Sequence, residues 1–238
     1  MALPLVLVGG WAMPCALVAD CVPAGRECHW LQPEQLAEPV PDSVEQGLDW
    51  WLPGMPERAV WIGWSLGGQV AMAASQWAPE RVAGVITLCS SPRFVSGPGW
   101  EEGVTATQFA RFRRRLARSP QAALAYFCSL MLHGSSTEQE DRARLRARQW
   151  PQPAEAWCLG TTLGWLEELD QRELWRQPVV PSYHLFGSQD ALISASVASV
   201  MELSTHRRYQ VSGMAHWPGG GFAAQVLEPL GDWLNQVG

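Results

Sequence analysis

The stretch from Arg58 to Trp77, RAVWIGWSLGGQVAMAASQW, restricts the fold more than any other part of the chain. Its run Ala59–Ile62 is short and apolar, as in a strand buried on both faces, and after Ser65 the residues Leu66, Val70, Ala73 and Trp77 recur at helical spacing. A strand that turns into a helix within a few residues, with glycines at the turn, is a βα unit of a parallel sheet.

The rest of the chain repeats this alternation. Strand candidates are Pro4–Val8, Glu27–Leu31, Ala59–Ile62, Val82–Leu88, Ser182–Phe186 and Arg208–Val211, each ending in small or polar residues. The expected architecture is α/β, a mostly parallel sheet with helices on both faces and ligands at the carboxyl ends of the strands. Between Ser96 and Gln177 strand-like runs stop. Thr105–Arg118 has Phe109, Phe112 and Leu116 at helical spacing, Ser119-Pro120 opens a second helix, and Thr137 and Glu140 stand at capping-box spacing before a third. We therefore expect a core formed by 1–96 and 177–238, with 97–176 inserted as an all-helical cap.

A chain of 238 residues with 47% hydrophobic and 17% charged residues buries one large core. The opening MALPLVLVGG has no basic start and reads as a buried strand rather than a signal peptide, and no apolar run is long enough to cross a membrane. Six cysteines without a C-x-x-C pair read as free thiols of a cytoplasmic protein. The five histidines are scattered, so neither a metal nor another cofactor is expected.

The chemistry starts from Gly63-Trp64-Ser65-Leu66-Gly67. A serine between strand and helix projects its hydroxyl above the sheet edge, and the new helix offers free N–H groups to a developing oxyanion. Its weakly nucleophilic hydroxyl requires a base and an acid to orient that base. In this type of sheet they follow in the order Ser, Asp, His. YHLFGSQDALI places Asp190 after a strand, and RRYQVSGMAHWP places His216 after the next. The other histidines fit less well, His184 lying within a strand; Asp170 could orient His216 but sits at an acidic helix end. Glycines before Trp11 direct its amide to the serine, where it joins the amide of Leu66 as an oxyanion donor. Trp11 and Trp64, beside the reacting atoms, are expected to line an apolar acyl channel.

The segments WIGWSLGG, ERVAGVITLCSSPRFV, YFCSLMLHG and HLFGSQDALI, with the Ala215-His216 loop, together resemble the pimeloyl-acyl-carrier-protein methyl ester esterases of biotin synthesis, a family of α/β-hydrolases. The similarity runs from the first strand to the C-terminus. It implies Ser65, Asp190 and His216 as catalytic residues and the amides of Trp11 and Leu66 as oxyanion donors. It also implies a substrate channel of Trp11, Trp64, Phe127, Leu130, Met131 and Leu192, and an acyl carrier protein held by cap arginines. The family's frequent His-Gly is Gly9-Gly10 here, and Ala122 and Tyr126 stand where members carry basic residues.

The arginines bear on the partner. All 17 basic residues are arginine, and the window 106–149 holds nine of them against three acids, net +6 in a chain of net charge −6. The default for such a stretch is a solvated helix face. Nucleic acid would meet the net −12 of the remainder, whereas an acidic protein touching only the cap would not. Arg111, Arg114, Arg115, Arg118, Arg142 and Arg146 are the expected carrier-protein contacts, on a chain read as a monomer. The competing readings are a general short-chain carboxylesterase or thioesterase on the same scaffold and a non-catalytic binding protein.

Overall fold

The computed structural model describes residues 2–33, 41–147 and 156–237. Six strands form one wholly parallel sheet: β1 (Leu5–Val8), β2 (Cys28–Leu31), β3 (Ala59–Trp64), β4 (Val82–Leu88), β5 (Ser182–Gly187) and β6 (Arg208–Val211), in the order β2-β1-β3-β4-β5-β6. The chain runs from β1 outward to β2 and then returns to the other side of β1 with β3. The strand order therefore reverses between β1 and β3, where such sheets open a crevice at their carboxyl edge. β1, β3, β4 and β5 are buried along their length, while the edge strands β2 and β6 are partly exposed.

Helices α1 (Val44–Trp51) and α2 (Leu66–Trp77) precede and follow β3. A Cβ at Gly68 of α2 would approach Thr87, whereas one at Gly84 would meet Val237 of α9 (Ala223–Val237). Thr87 and Gly84 differ by an odd number of positions along β4, so α2 and α9 cover opposite faces of the sheet. Between β4 and β5 the described residues hold α3 (Ala106–Arg118), α4 (Pro120–Leu132), α5 (Glu138–Ala147), α6 (Ala156–Glu168) and α7 (Arg172–Arg176); a short α8 (Val197–Val200) follows β5.

Two of the three expected helix starts form as read. Thr105 and Gln108 close a capping box on α3, and the Ser119 hydroxyl accepts from the Ala122 amide on α4. At α5 the Thr137 hydroxyl donates instead to the carboxylate of Asp141, at 2.6 Å. That carboxylate is buried and requires donors, which a capping box with Glu140 would not supply. Arg148, the last arginine of the basic run, lies outside the described residues. Trp30, Trp50 and Trp77 are exposed, while Trp11, Trp61, Trp64, Trp100, Trp175 and Trp217 are fully buried. No helix among the described residues is long and apolar enough to cross a membrane.

Candidate active site

Ser65 stands between β3 and α2 with φ +55° and ψ −119°, a left-handed conformation that a serine adopts only where its surroundings enforce it. A Cβ on Gly63 would run into the carbonyl of Gly67, and one on Gly67 into the carbonyl of Val8. Both obstacles are backbone and cannot swing away, which is why these positions are glycine. The turn is pinned by the Ser65 amide on the Leu88 carbonyl at 2.9 Å, and by the Gly68 amide and Ser90 hydroxyl on the Ser65 carbonyl at 2.9 and 2.7 Å.

The loops after β5 and β6 bring the other two groups to this edge. His216 Nε2 lies 2.9 Å from Ser65 Oγ, and His216 Nδ1 lies 2.8 Å from Asp190 Oδ2. The remaining Asp190 oxygen, Oδ1, accepts from the amides of Leu192 and Ile193 at 2.8 and 2.9 Å. An ionised carboxylate only accepts, so Nδ1 carries the imidazole proton and Nε2 is left to accept from the serine hydroxyl. Both side chains are buried, which strengthens the relay by excluding water. The other candidates are occupied elsewhere. His184 bonds to Thr87, stacks on Trp175 and is held well below its ordinary pKa by burial. Asp170 is paired with Arg172 and Arg93.

Oxyanion donors must be amides without an internal acceptor. Trp11 and Leu66 are both buried, and among the described residues neither amide donates to another group. A buried N–H without a partner calls for a ligand. Leu66 directly follows Ser65, and a Cβ on Gly10 would come within 3.4 Å of the Ser65 Cβ, so the loop carrying Trp11 lies against the serine.

A cavity of about 310 Å³ opens beside this constellation, walled by Trp11, Phe94, Phe109, Phe112, Phe127, Leu130, Leu163, Leu166 and Leu192, with Asp190, Glu102, Gln108 and Ser194 among its polar residues. Ser65 and His216 are not on its wall, but Trp11 and Asp190 beside them are. Of the six expected channel residues, Trp11, Phe127, Leu130 and Leu192 line the cavity and Trp64 and Met131 do not. Trp64 turns its indole N–H to the carbonyl of His216 at 2.9 Å, and the Met131 carbonyl accepts from the His216 amide at 3.0 Å. Both are buried behind the wall, where they hold the histidine loop. The aromatic face of α3, Phe109 and Phe112, lines the cavity although the sequence identified it only as helical periodicity. A further neighbour missed from sequence is Cys89, with φ +47° at the end of β4. Burial, and then the Asp190 carboxylate beside it, push its thiol well above the ordinary range, so it stays protonated next to the relay.

The arginines divide into two groups. Arg111, Arg114, Arg115 and Arg118 of α3 line one groove with Ser119, Ala122 and Tyr126, and Gln108, Phe112 and Tyr126 are shared between groove and cavity. Arg115 lies over the Tyr126 ring at 4.5 Å, and Arg111, Arg114 and Arg118 have no carboxylate partner among the described residues. On α5, Arg142 pairs with Glu138 at 2.8 Å and Arg146 is exposed, and neither lines the groove. Among the described residues no group of three His, Cys, Asp or Glu side chains could hold a metal ion.

A serine at the strand-to-helix turn after β3, hydrogen-bonded to a histidine after β6 that is in turn bonded to an aspartate after β5, is the arrangement of a serine hydrolase of the parallel-sheet class. The alpha/beta hydrolase family model matches residues 5–235, and the chain belongs to that family. The pimeloyl-[acyl-carrier protein] methyl ester esterase of Photobacterium profundum is 34% identical over 208 residues, 83% of this chain and 80% of that protein. The protein of the same name from Edwardsiella ictaluri is 30% identical over 223 residues, 90% of this chain and 86% of its own. Among solved structures, a hydrolase from Oleispira antarctica superposes with a TM-score of 0.80 at 14% identity, covering 99% of this chain and 92% of that one, a likeness of fold alone. The chain is an ester hydrolase.

Proposed function

We propose that this chain is a serine carboxylesterase that hydrolyses the methyl ester of pimeloyl-acyl carrier protein to pimeloyl-acyl carrier protein and methanol, in biotin synthesis. The observation that carries the reading is an apolar cavity lined by Trp11 and Asp190 that has Gln108, Phe112 and Tyr126 in common with a groove lined by four arginines. The names of the relatives support the same substrate. Ser65 Oγ attacks the methyl ester carbonyl as His216 Nε2 takes its proton, and the Trp11 and Leu66 amides hold the oxyanion. His216 then passes the proton to the departing methoxide. A water deprotonated by His216 attacks the acyl-enzyme, freeing the acid and restoring Ser65.

Five methylenes of a pimeloyl chain against these walls are worth about 4 kcal/mol, at about 0.8 kcal/mol each. Residues 97–176 act as the cap over a core of 1–96 and 177–238, and the α3 groove receives the acidic carrier. The six free cysteines suit a monomer working in the cytoplasm. The test compares carrier-bound with free methyl pimelate esters. Arg111→Glu with Arg115→Glu should raise KM for the carrier-bound ester about tenfold or more and leave the free ester unchanged. Equal kcat/KM for both esters in the parent enzyme would leave a general short-chain carboxylesterase. Failure of a fluorophosphonate to label Ser65 would remove the mechanism itself.

A further inference from the structure

Two sequence features remain outside this mechanism: one acid buried within the arginine run of α5, and the triple glycine Gly219-Gly220-Gly221 just after His216. They meet in space. Asp141 is 1% exposed on a helix whose neighbouring arginines face solvent. Its Oδ2 accepts from the Thr137 hydroxyl at 2.6 Å, and its Oδ1 accepts from Arg144 Nη1 at 2.6 Å and from the backbone amide of Gly221 at 3.0 Å. A Cβ on Gly220, which has φ +61°, would fall 2.6 Å from Asp141 Oδ1, and one on Gly221 would fall 2.8 Å from Thr137 Oγ1. The glycines thus allow helix α5 to approach the loop closely.

Two more contacts tie the same loop to the same part of the chain. The Ser136 amide donates to the Gly213 carbonyl at 2.9 Å, and the His216 amide donates to the Met131 carbonyl at 3.0 Å. The loop bearing the base is therefore bonded at three points, residues 213, 216 and 221, to the segment running from the end of α4 into α5. Its opposite side is held by the indoles of Trp64, on the His216 carbonyl, and Trp217, on the Leu17 carbonyl. A buried carboxylate is costly unless its oxygens are filled, and here a hydroxyl, a guanidinium and an amide fill them.

We propose that Asp141 is a positioning residue for His216: its carboxylate seats the far end of the catalytic loop on α5, so that the base is located by the helical segment as well as by the sheet. The proposal rests on the reading of Ser65, Asp190 and His216 as the triad. Displacement of a reacting group by about 1 Å costs up to about 100-fold in rate, so loss of this seat appears in kcat rather than in substrate affinity.

The experiment measures kcat per fluorophosphonate-titrated Ser65 and KM on a small free methyl ester, which needs no carrier. Asp141→Ala should lower kcat per titrated site about 10- to 100-fold with KM changed less than about twofold. Asp141→Asn, which keeps an oxygen for the Gly221 amide, should restore kcat to within about fivefold of the parent. A residue that only stabilised the fold would reduce Tm and the number of titratable sites while each remaining site kept its parental kcat. That result, or equal kcat losses in the two variants, would overturn the proposal. Should Asp141→Ala yield no folded protein, Thr137→Val removes one donor while leaving the carboxylate, and should lower kcat about two- to fivefold. An unchanged kcat there would equally overturn it. Failure of the triad reading would show differently, as a parent enzyme with no titratable Ser65.

Discussion

Trp64→Phe separates two roles for the tryptophan beside the nucleophile. The indole N–H is 2.9 Å from the His216 carbonyl and both residues are buried, so phenylalanine leaves an acceptor without a partner, at about 1–3 kcal/mol. The smaller ring also leaves a void of about 40 Å³, which at roughly 24 cal/mol per Å³ adds about 1 kcal/mol. For a chain of this size each kcal/mol lowers Tm by about 2–4 °C, so the variant should melt roughly 4–16 °C below the parent. Loosening the histidine loop should lower kcat about tenfold. Because the ring is off the cavity wall, that loss should be the same for methyl acetate, methyl butyrate and methyl hexanoate. The assay is a thermal melt followed by circular dichroism, with kcat/KM across that ester series. A Tm within about 1 °C of the parent, together with a loss that grows with each added methylene, would refute the bracing role and put the indole on the acyl channel.

Asp190→Asn keeps the shape of the acid but allows the wrong imidazole tautomer, and should lower kcat on a free methyl ester about 10⁴-fold with little change in KM; a loss below tenfold would remove Asp190 from the relay. His184, held neutral by burial, gives the fold a pH dependence of its own. Its folded pKa lies below the ordinary 6.5, so the unfolded chain binds the extra proton first and stability falls by about 1.4 kcal/mol per unit as pH drops below 6.5. Urea unfolding at pH 6.5 and 5.5 should show this slope reduced by that amount in His184→Gln, and identical slopes would contradict it.

The sheet was legible because each strand is a short apolar run bounded by turn residues, and because parallel strands covered on both faces carry no polar alternation to obscure them. That Ser65, Asp190 and His216 would meet was legible from their order along the chain, after β3, β5 and β6 at one sheet edge. The direction of Trp64 was not. Alternation along β3 puts Trp64 on the same sheet face as Ile62, but it does not say whether at the strand's carboxyl end that face meets the cavity or the histidine loop. Met131 was missed for a related reason: α4 buries Ala123, Leu124, Phe127, Met131 and Leu132, a spread too wide to single out a cavity face. Asp141 was hidden by its arginine neighbours, since a carboxylate in a charge run reads as solvated until its long-range partner, the Gly221 amide, is known. The amides of Trp11 and Leu66 are expected from position alone, after the first strand's glycines and after Ser65, since backbone groups leave no mark in side-chain identity.

The cavity draws Phe109 and Phe112 from α3, Phe127 and Leu130 from α4, and Leu163 and Leu166 from α6, while Ser65, Asp190 and His216 follow the ends of β3, β5 and β6. Most of this wall is thus encoded apart from Ser65, Asp190 and His216, and the two sets meet at Trp11, Asp190 and Leu192. Mutation can reshape this cavity through α3, α4 and α6 without altering Ser65, Asp190 or His216, so a lineage built on this plan can change its diet while its chemistry stays inherited.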